Sequence, residues 1–129
     1  MAKPKFEIAM KKVRTPSQIG KLSRNKGAAE ERRVAKLYEF ALCTKVQRDI
    51  SQYQQSSGRD LRGCQPWCVQ NKVGKKVNAR SAYLEAANAV DNEYSIAVAH
   101  IRNDNEEPLV VISEQDFMVI VERLTTAGV

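Results

Sequence analysis

The sequence predicts an α/β sandwich built around a mixed central sheet, and three observations lead to this fold class. The chain has 129 residues, which is enough for one domain with a substantial core and too few for two. Its balance of 43% hydrophobic and 28% charged residues is that of an ordinary globular protein. Segments with helical and strand-like patterns follow one another as helix, strands, helix, strand, strand, helix, an order typical of helices packed on a mixed sheet.

Three helices are predicted from the spacing of apolar residues and from capping signals. Residues 28–42 repeat apolar side chains at helical spacing. Residues 79–90 are rich in alanine and follow Asn78, a residue suited to cap a helix. The last helix is expected after Ser113, because Asp116 three residues later makes an acidic variant of a capping box.

The strands are predicted from short apolar runs that are bounded by turn residues. Residues 44–48, 66–73, 94–102 and 109–112 have this pattern, and the run at 94–102 is apolar on both faces, as in a buried strand. Residues 51–58 have the composition of a loop, and turns are expected around Gly63 and at 103–105. These segments would form the central sheet.

The positive charge of the chain is concentrated at one end. Residues 1–26 carry eight basic side chains and one acidic one, whereas residues 27–129 carry 13 basic and 14 acidic ones. We therefore divide the chain into a basic N-terminal arm, residues 1–24, and a domain, residues 25–129, and we expect much of the arm to be weakly structured. A basic arm on a nearly neutral body suits a polyanion such as nucleic acid; a solubilising tail is the alternative.

The cysteines and the hydropathy pattern predict a cytoplasmic protein. Cys43, Cys64 and Cys68 cannot all pair with one another, and we interpret them as reduced thiols. The N-terminus lacks the apolar stretch of a secretory signal, and no run is long enough to span a membrane. A viral or phage source would suit so compact a chain. A zinc site of the three cysteines with His100 is a weaker alternative, because the Cys-x₃-Cys spacing is unusual and His100 lies in a core-like strand.

Four polar residues form the candidate catalytic group: Glu31, Asp60, Gln70 and Lys72. Gln70 and Lys72 are two apart on a strand and share a face, and a turn would bring Asp60 beside Gln70. Oxygen ligands from Glu31, Asp60 and Gln70 would bind Mg²⁺, with Mn²⁺ as a substitute, and Lys72 would stabilise charge on a phosphate. Each residue also has an ordinary interpretation, as a surface ion pair, a turn residue or part of a basic surface.

Glu30 is an equally good candidate on helix geometry, because Glu30 and Glu31 border the predicted apolar face on opposite sides. Basic residues surround the candidate site: between residues 59 and 80, Asp60 is the only acid. The residues expected to contact DNA are Lys26, Arg32, Ser57, Arg59, Arg62, Lys75, Lys76 and Arg80. Such a basic surface beside carboxylates is what a nuclease requires, although it could also be a solvated surface.

Three short motifs, in order, resemble those of archaeal Holliday-junction resolvases of the PD-(D/E)xK nuclease superfamily. They are Lys-Gly-Ala-Ala-Glu-Glu-Arg at 26–32, Ser-Gly-Arg-Asp-Leu at 57–61 and Val-Gln-Asn-Lys at 69–72. The later helix, strands and final helix are also similar, so that the resemblance covers roughly residues 24–124. It implies a restriction-endonuclease-like α/β/α sandwich and points to Glu31 rather than Glu30 as the metal ligand. Gln70 departs from the family, which usually has Glu there, and Arg59 stands where the family has proline.

The resemblance implies a homodimeric, Mg²⁺-dependent endonuclease that cleaves branched DNA, the four-way Holliday junction. Paired incisions need two copies of the site, and the dimer surface is expected around Val110, Ile112, Phe117 and Val121. Two alternatives remain open. The protein could be a nuclease of the same fold with another DNA substrate, or a DNA-binding protein without catalytic activity, which the neutral Gln70 would favour.

Overall fold

The computed structural model of the chain describes residues 15–49 and 59–128, and its elements alternate between helix and strand much as the sequence predicts. In chain order they are α1 Pro16–Leu42, β1 Gln47–Arg48, β2 Leu61–Arg62, β3 Trp67–Gly74, α2 Ala79–Asn88, β4 Ile96–Asn103, β5 Leu109–Ile112 and α3 Glu114–Thr126. The predicted helix 79–90 and the strands 66–73, 94–102 and 109–112 agree with the structure to within two residues at each end. Within the described ranges there are three helices.

Helix α1 begins well before the predicted residue 28. Thr15 caps it: the Thr15 hydroxyl accepts a hydrogen bond from the Gln18 main-chain N–H at 3.1 Å, and the Gln18 side chain accepts one from the Thr15 N–H at 3.0 Å. Pro16 then occupies the first turn, where its missing N–H costs nothing. The expectation that much of the arm is weakly structured is therefore wrong for its residues 16–24, which are helical. Residues 1–14 of the predicted arm lie outside the described residues, and the arm–domain boundary at 24–25 falls inside α1.

The central sheet has the order β3-β4-β5, with β3 and β4 parallel and β4 and β5 antiparallel. Beside it, β1 and β2 form a short antiparallel pair, with Arg48 opposite Leu61. The prediction of a mixed α/β fold with a mixed sheet is thus confirmed. Gly63 closes the turn after β2 at a φ of 91°, where a side chain would collide with the Lys45 carbonyl.

Helix α2 covers one face of the sheet. The Cys68 thiol donates to the Ala86 carbonyl, with an Sγ–O distance of 3.5 Å, and Lys72 Nζ lies 2.9 Å from Glu85 Oε2. Because alternate residues of a strand share a face, Gln70 also faces α2. This places the polar pair Gln70 and Lys72 on the α2 side of β3.

Helix α1 covers the opposite face. Tyr38 Oη and His100 Nε2 share a hydrogen bond of 2.8 Å, and Arg102 Nη1 lies 3.5 Å from Glu30 Oε1. His100 is paired across the sheet with Asn71, and paired residues of neighbouring strands point to the same face. Asn71 is therefore on the α1 side of β3, opposite to its neighbours Gln70 and Lys72.

Helix α3 follows β5 directly and packs only loosely. Ser113 caps it as predicted, since its hydroxyl accepts from the Asp116 N–H at 3.1 Å. None of its residues is buried, and Phe117 is 51% exposed. A cavity of ≈ 360 Å³ separates α3 from the sheet and α1, lined by Tyr38, Trp67, Val98, Val110, Ile112, Phe117 and Ile120. Within the described ranges no helix combines the length and apolar character that crossing a membrane would require.

Candidate functional site

Asp60 lies beside Gln70, at the edge of β3 that faces away from β4. The Asp60 main-chain N–H donates to the Val69 carbonyl at 3.0 Å, and the Asn71 N–H donates to Asp60 Oδ2 at 2.6 Å. These two hydrogen bonds flank Gln70. The Asp60 carbonyl in turn accepts from the Asp49 N–H at 2.7 Å, which ties the segment to the end of β1. Asp60 is thus fixed by backbone hydrogen bonds on both sides and is only 4% exposed.

Burial is the main influence on the ionisation of Asp60. Burial, with the negative charge of Glu31 as a smaller contribution, raises the pKa of the carboxyl from 3.8 to about 7 against the opposing effects of the Asn71 N–H and the Lys72 ammonium. Glu31 and Lys72 therefore lie within electrostatic reach of Asp60. A carboxyl with this pKa changes its charge near neutral pH, and any cation that binds beside it would favour the ionised form.

The two adjacent glutamates of α1 have different partners. Glu30 is buried and is held by Arg33, at 2.6 and 3.0 Å, and by Arg102 at 3.5 Å. The hydrogen bond from Arg33 is the largest influence and keeps the pKa of Glu30 below its usual value. Glu31, also buried, instead accepts from Arg48 Nε of β1 at 2.8 Å and raises the pKa of Asp60. Tertiary contacts thus separate the two: Glu30 is neutralised beside a cleft of ≈ 480 Å³, and Glu31 belongs to the Asp60 side of α1.

Gln70 and Lys72 complete the predicted group from the α2 side. Gln70 is 8% exposed, and its Oε1 is buried with no hydrogen-bond partner among the described residues. Lys72 is half exposed and is paired with Glu85. Most buried polar atoms are hydrogen-bonded, so the unpartnered amide oxygen of Gln70 is unusual and is compatible with an additional ligand at this position.

The chemistry of the predicted donors suits a divalent cation such as Mg²⁺ or Mn²⁺, but the structure presents Gln70 from the α2 side of β3 and Glu31 from the α1 side, where Arg48 binds it. Two carboxylates, Glu31 and Asp60, and the free oxygen of Gln70 are the hard oxygen ligands that these ions prefer. A cation would also offset the repulsion between Glu31 and Asp60. In the described segments no three His, Cys, Asp or Glu side chains are grouped to hold a metal, and the predicted set contains only two residues of those types.

The zinc alternative loses its ligands to other contacts. The Cys64 thiol donates to the Trp67 carbonyl at 3.4 Å, and burial raises its pKa to about 11. Cys68 bonds to α2, as described above, and Cys43 is exposed. Burial, followed by the charge of Arg33, lowers the pKa of His100 to about 4, so the ring is neutral and bonded to Tyr38. His100 behaves as the core residue that its strand predicts.

The predicted DNA-contacting residues divide into exposed and engaged side chains. The exposed ones are Lys26, Arg32, Arg62, Lys75, Lys76 and Arg80. Of these, Lys26 is also paired with Asp104, and Arg62 donates to the Gln47 side chain at 3.4 Å. Arg59 is largely enclosed: its guanidinium lies 2.9 Å from Asp91 and 4.0 Å from the centre of the Tyr94 ring. Arg59 therefore packs against the residues that precede β4 rather than extending toward solvent, and Ser57 lies outside the described residues.

Three residues that the sequence interpretation passed over lie at the site. Arg48 binds Glu31, Glu85 binds Lys72, and Asn71 contacts Asp60 through its N–H. Asn71 could have been singled out as a polar residue on the inward face of a buried strand. Arg48 and Glu85 had no such signal, because their roles depend on partners distant in sequence.

No family model, no curated protein and no solved structure matches this chain.

Proposed function

We propose that the protein is a metal-dependent, structure-selective DNA endonuclease that resolves four-way junctions. One observation carries the proposal: buried Asp60 is hydrogen-bonded to the residues on either side of Gln70, whose Oε1 has no partner among the described residues, and the Asp60 carboxyl is within electrostatic reach of Glu31 and Lys72. Oxygen donors and a lysine in this arrangement are suited to phosphodiester hydrolysis. The helices on both faces of the mixed sheet support the restriction-endonuclease-like α/β/α sandwich as the finer description of the fold.

Glu31, Asp60 and Gln70 would hold the cation, which when bound supplies Lewis-acid polarisation of the phosphate and acidifies a water. The remaining steps, the proton release and the stabilisation of charge, are assigned to side chains of this protein. Asp60 releases its proton near pH 7 and so becomes a ligand at neutral pH. The Lys72 ammonium stabilises the negative charge that develops on the phosphate, and Glu85 holds Lys72 beside the site until the phosphate takes its place.

The exposed basic residues of α1 provide a path for DNA toward the site. Arg24 precedes Glu31 by seven residues, close to two full helical turns, so the two lie on the same side of α1, about 10 Å apart along its axis. Around the helix axis, Lys21 and Arg32 lie within a quarter to a third of a turn of the side of α1 that carries Arg24 and Glu31. At 3.4 Å per base pair, Arg24 would contact the backbone about three base pairs from the phosphate at Glu31.

Resolution of a junction requires two incisions, and one chain offers one such group of residues. A two-fold dimer supplies the second, and it would use the same surface twice. The apolar residues that α3 and β5 leave uncovered support this: Val110 and Phe117 are more than half exposed, and Ile112 and Val121 are partly exposed.

A DNA-binding protein without catalytic activity is the second candidate, and the Arg48–Glu31 ion pair favours it. This contact neutralises one of the two carboxylates, and Gln70 contributes no charge, so a cation would have to compete with Arg48 for Glu31.

The deciding experiment compares cleavage of a synthetic four-way junction with cleavage of linear duplex of the same sequence, in Mg²⁺, with Asp60→Asn as the control. Paired cuts in the junction support the proposal. Cleavage of both substrates alike indicates a nuclease with another substrate. Junction binding without any cleavage by the wild type supports the second candidate.

A further inference from the structure

The Asn71 side chain is partly buried, and its polar atoms lie where an amide is unfavourable. Both of its polar atoms, Oδ1 and Nδ2, are enclosed and have no hydrogen-bond partner among the described residues. Its neighbours on the same face of β3, Val69 and Val73, are apolar. An unpaired buried amide loses its hydration without compensation, so we expect an apolar residue at position 71 to stabilise the metal-free protein.

The position of Asn71 places this amide on the Glu31 side of the candidate site. Asn71 is paired with His100, which is bonded to Tyr38 of α1, and α1 also carries Glu31. The Asn71 main-chain N–H bonds Asp60 Oδ2 at 2.6 Å. Asn71 therefore lies beneath α1 and next to Asp60, whereas Gln70 faces α2.

The influences on the pKa of Asp60 are consistent with this placement of the Asn71 side chain. Burial is the main cause that raises the pKa of Asp60 to about 7, and the Asn71 side-chain amide is among the smaller opposing influences. Because only the N–H of an amide can lower the pKa of a carboxyl in this way, Nδ2 is the amide atom that faces Asp60, although it falls outside hydrogen-bond geometry, and a half-turn of the amide would bring Oδ1 to the same place. Two consecutive residues, Gln70 and Asn71, leave unpartnered amide oxygens on either side of the strand edge at which Asp60 lies.

We propose that the carboxamide oxygen of Asn71 is a further ligand of the divalent cation held by Glu31 and Asp60. It adds an oxygen donor on the α1 side and so compensates for the neutral Gln70. This inference rests on the proposed function, since it requires the same cation. It also accounts for a polar residue at a position where packing alone favours an apolar one.

The test measures Mn²⁺ binding by titration calorimetry and by the loss of the free-ion electron paramagnetic resonance signal. Four proteins are compared: the wild type, Asn71→Leu, Asn71→Asp and the matched surface control Asn88→Leu. Asn71→Leu is expected to weaken Mn²⁺ binding about tenfold or more, and to raise the melting temperature of the metal-free protein by a few degrees, because the unpaired amide is gone. Asn71→Asp, which has the same size and adds a charge, is expected to tighten binding. The control should leave both properties unchanged.

The outcomes separate this inference from the proposed function. If the wild type binds Mn²⁺ and Asn71→Leu binds it equally well, Asn71 is not a ligand, while the proposed function stands. If the wild type binds no Mn²⁺ at all, both fail. Should Asn71→Leu not fold, Asn71→Asp decides the question, because an unchanged Mn²⁺ affinity in that variant overturns the inference.

Discussion

Replacing Asp60 with asparagine should separate stability from activity in this protein. The substitution keeps the size of the side chain and an oxygen that can accept the Asn71 N–H, but it removes the buried charge. In the unfolded chain the carboxyl ionises near its ordinary pKa of 3.8, whereas in the folded protein its pKa is about 7. The folded state therefore holds the proton more tightly than the unfolded state does.

The sign of the effect follows from this difference. As the pH rises above about 4, the unfolded chain loses the proton and the folded chain keeps it, so the wild type loses stability until the pH passes 7. The difference between 3.8 and about 7 corresponds to roughly 4 kcal/mol at 25 °C. Relaxation around the carboxylate makes this an upper limit. Asp60→Asn should accordingly be more stable than the wild type at pH 8, by on the order of 1–4 kcal/mol, with the difference shrinking toward pH 4.

The assay is urea unfolding of both proteins with a chelator at pH 8, 6.5 and 5, with Glu107→Gln as the control, since Glu107 is exposed in the turn between β4 and β5. Added Mg²⁺ should stabilise the wild type at pH 8 and stabilise Asp60→Asn much less. The same variant should lose junction cleavage and keep junction binding, because affinity for DNA comes mainly from Lys and Arg.

Two results would refute this reasoning separately. Cleavage by Asp60→Asn at the wild-type rate in Mg²⁺ would remove Asp60 from the catalytic group. A variant that is less stable than the wild type at pH 8 would mean that the ionised carboxyl is better solvated or better paired than its burial indicates, and its raised pKa would then have no support.

Three other perturbations test different parts of the molecule. The double substitution Lys21→Gln and Arg24→Gln should reduce the slope of log affinity against log salt by nearly 2, because each lost phosphate contact reduces it by about 0.9. Deletion of residues 1–24 should weaken DNA binding further without unfolding the body. An unchanged slope in DNA-binding titrations would show that α1 does not contact DNA. Arg48→Gln removes the ion-pair partner of the buried Glu31 and should lower the free energy of unfolding by about 1–3 kcal/mol. Added Mg²⁺ should restore part of this loss in chemical denaturation. The absence of such a recovery would argue against a cation at Glu31. If the proposed dimer forms, Phe117→Glu should shift it to monomer in sedimentation velocity and convert paired cuts in a junction to single nicks. A wild type that stays monomeric on a junction would contradict the proposed dimer.

Local sequence patterns predicted most of the elements, because each pattern reflects the period of the structure that it forms. The strands β3 to β5 and helix α2 follow from apolar periodicity and turn residues, and the Ser113 cap follows from the Asp116 spacing. The start of α1 was missed for the same reason. Its capping box lies in a basic segment that packs against little, so no apolar period marked the helix there.

The candidate site was predictable in part. The spacing of Asp60 and Gln70 indicated that a turn would bring them together, and the structure places them side by side at the edge of β3. The choice between Glu30 and Glu31 could not be made from helix geometry, since both border the apolar face. The two glutamates are distinguished by their partners, which are Arg33 and Arg102 for Glu30 and Arg48 for Glu31. Of these partners, Arg48 and Arg102 are distant from the glutamates in sequence.

The sequence alone determined which residue types lie on which face of each helix and strand, because that depends only on a repeat of two or 3.6 residues. Only the tertiary structure decided the partner and the burial of each polar group. The raised pKa of Asp60 and the unpaired amides of Gln70 and Asn71 arise where α1, β1 and β3 enclose one strand edge. Desolvation and pairing there depend on atoms brought together from distant parts of the chain, so no local pattern encodes them.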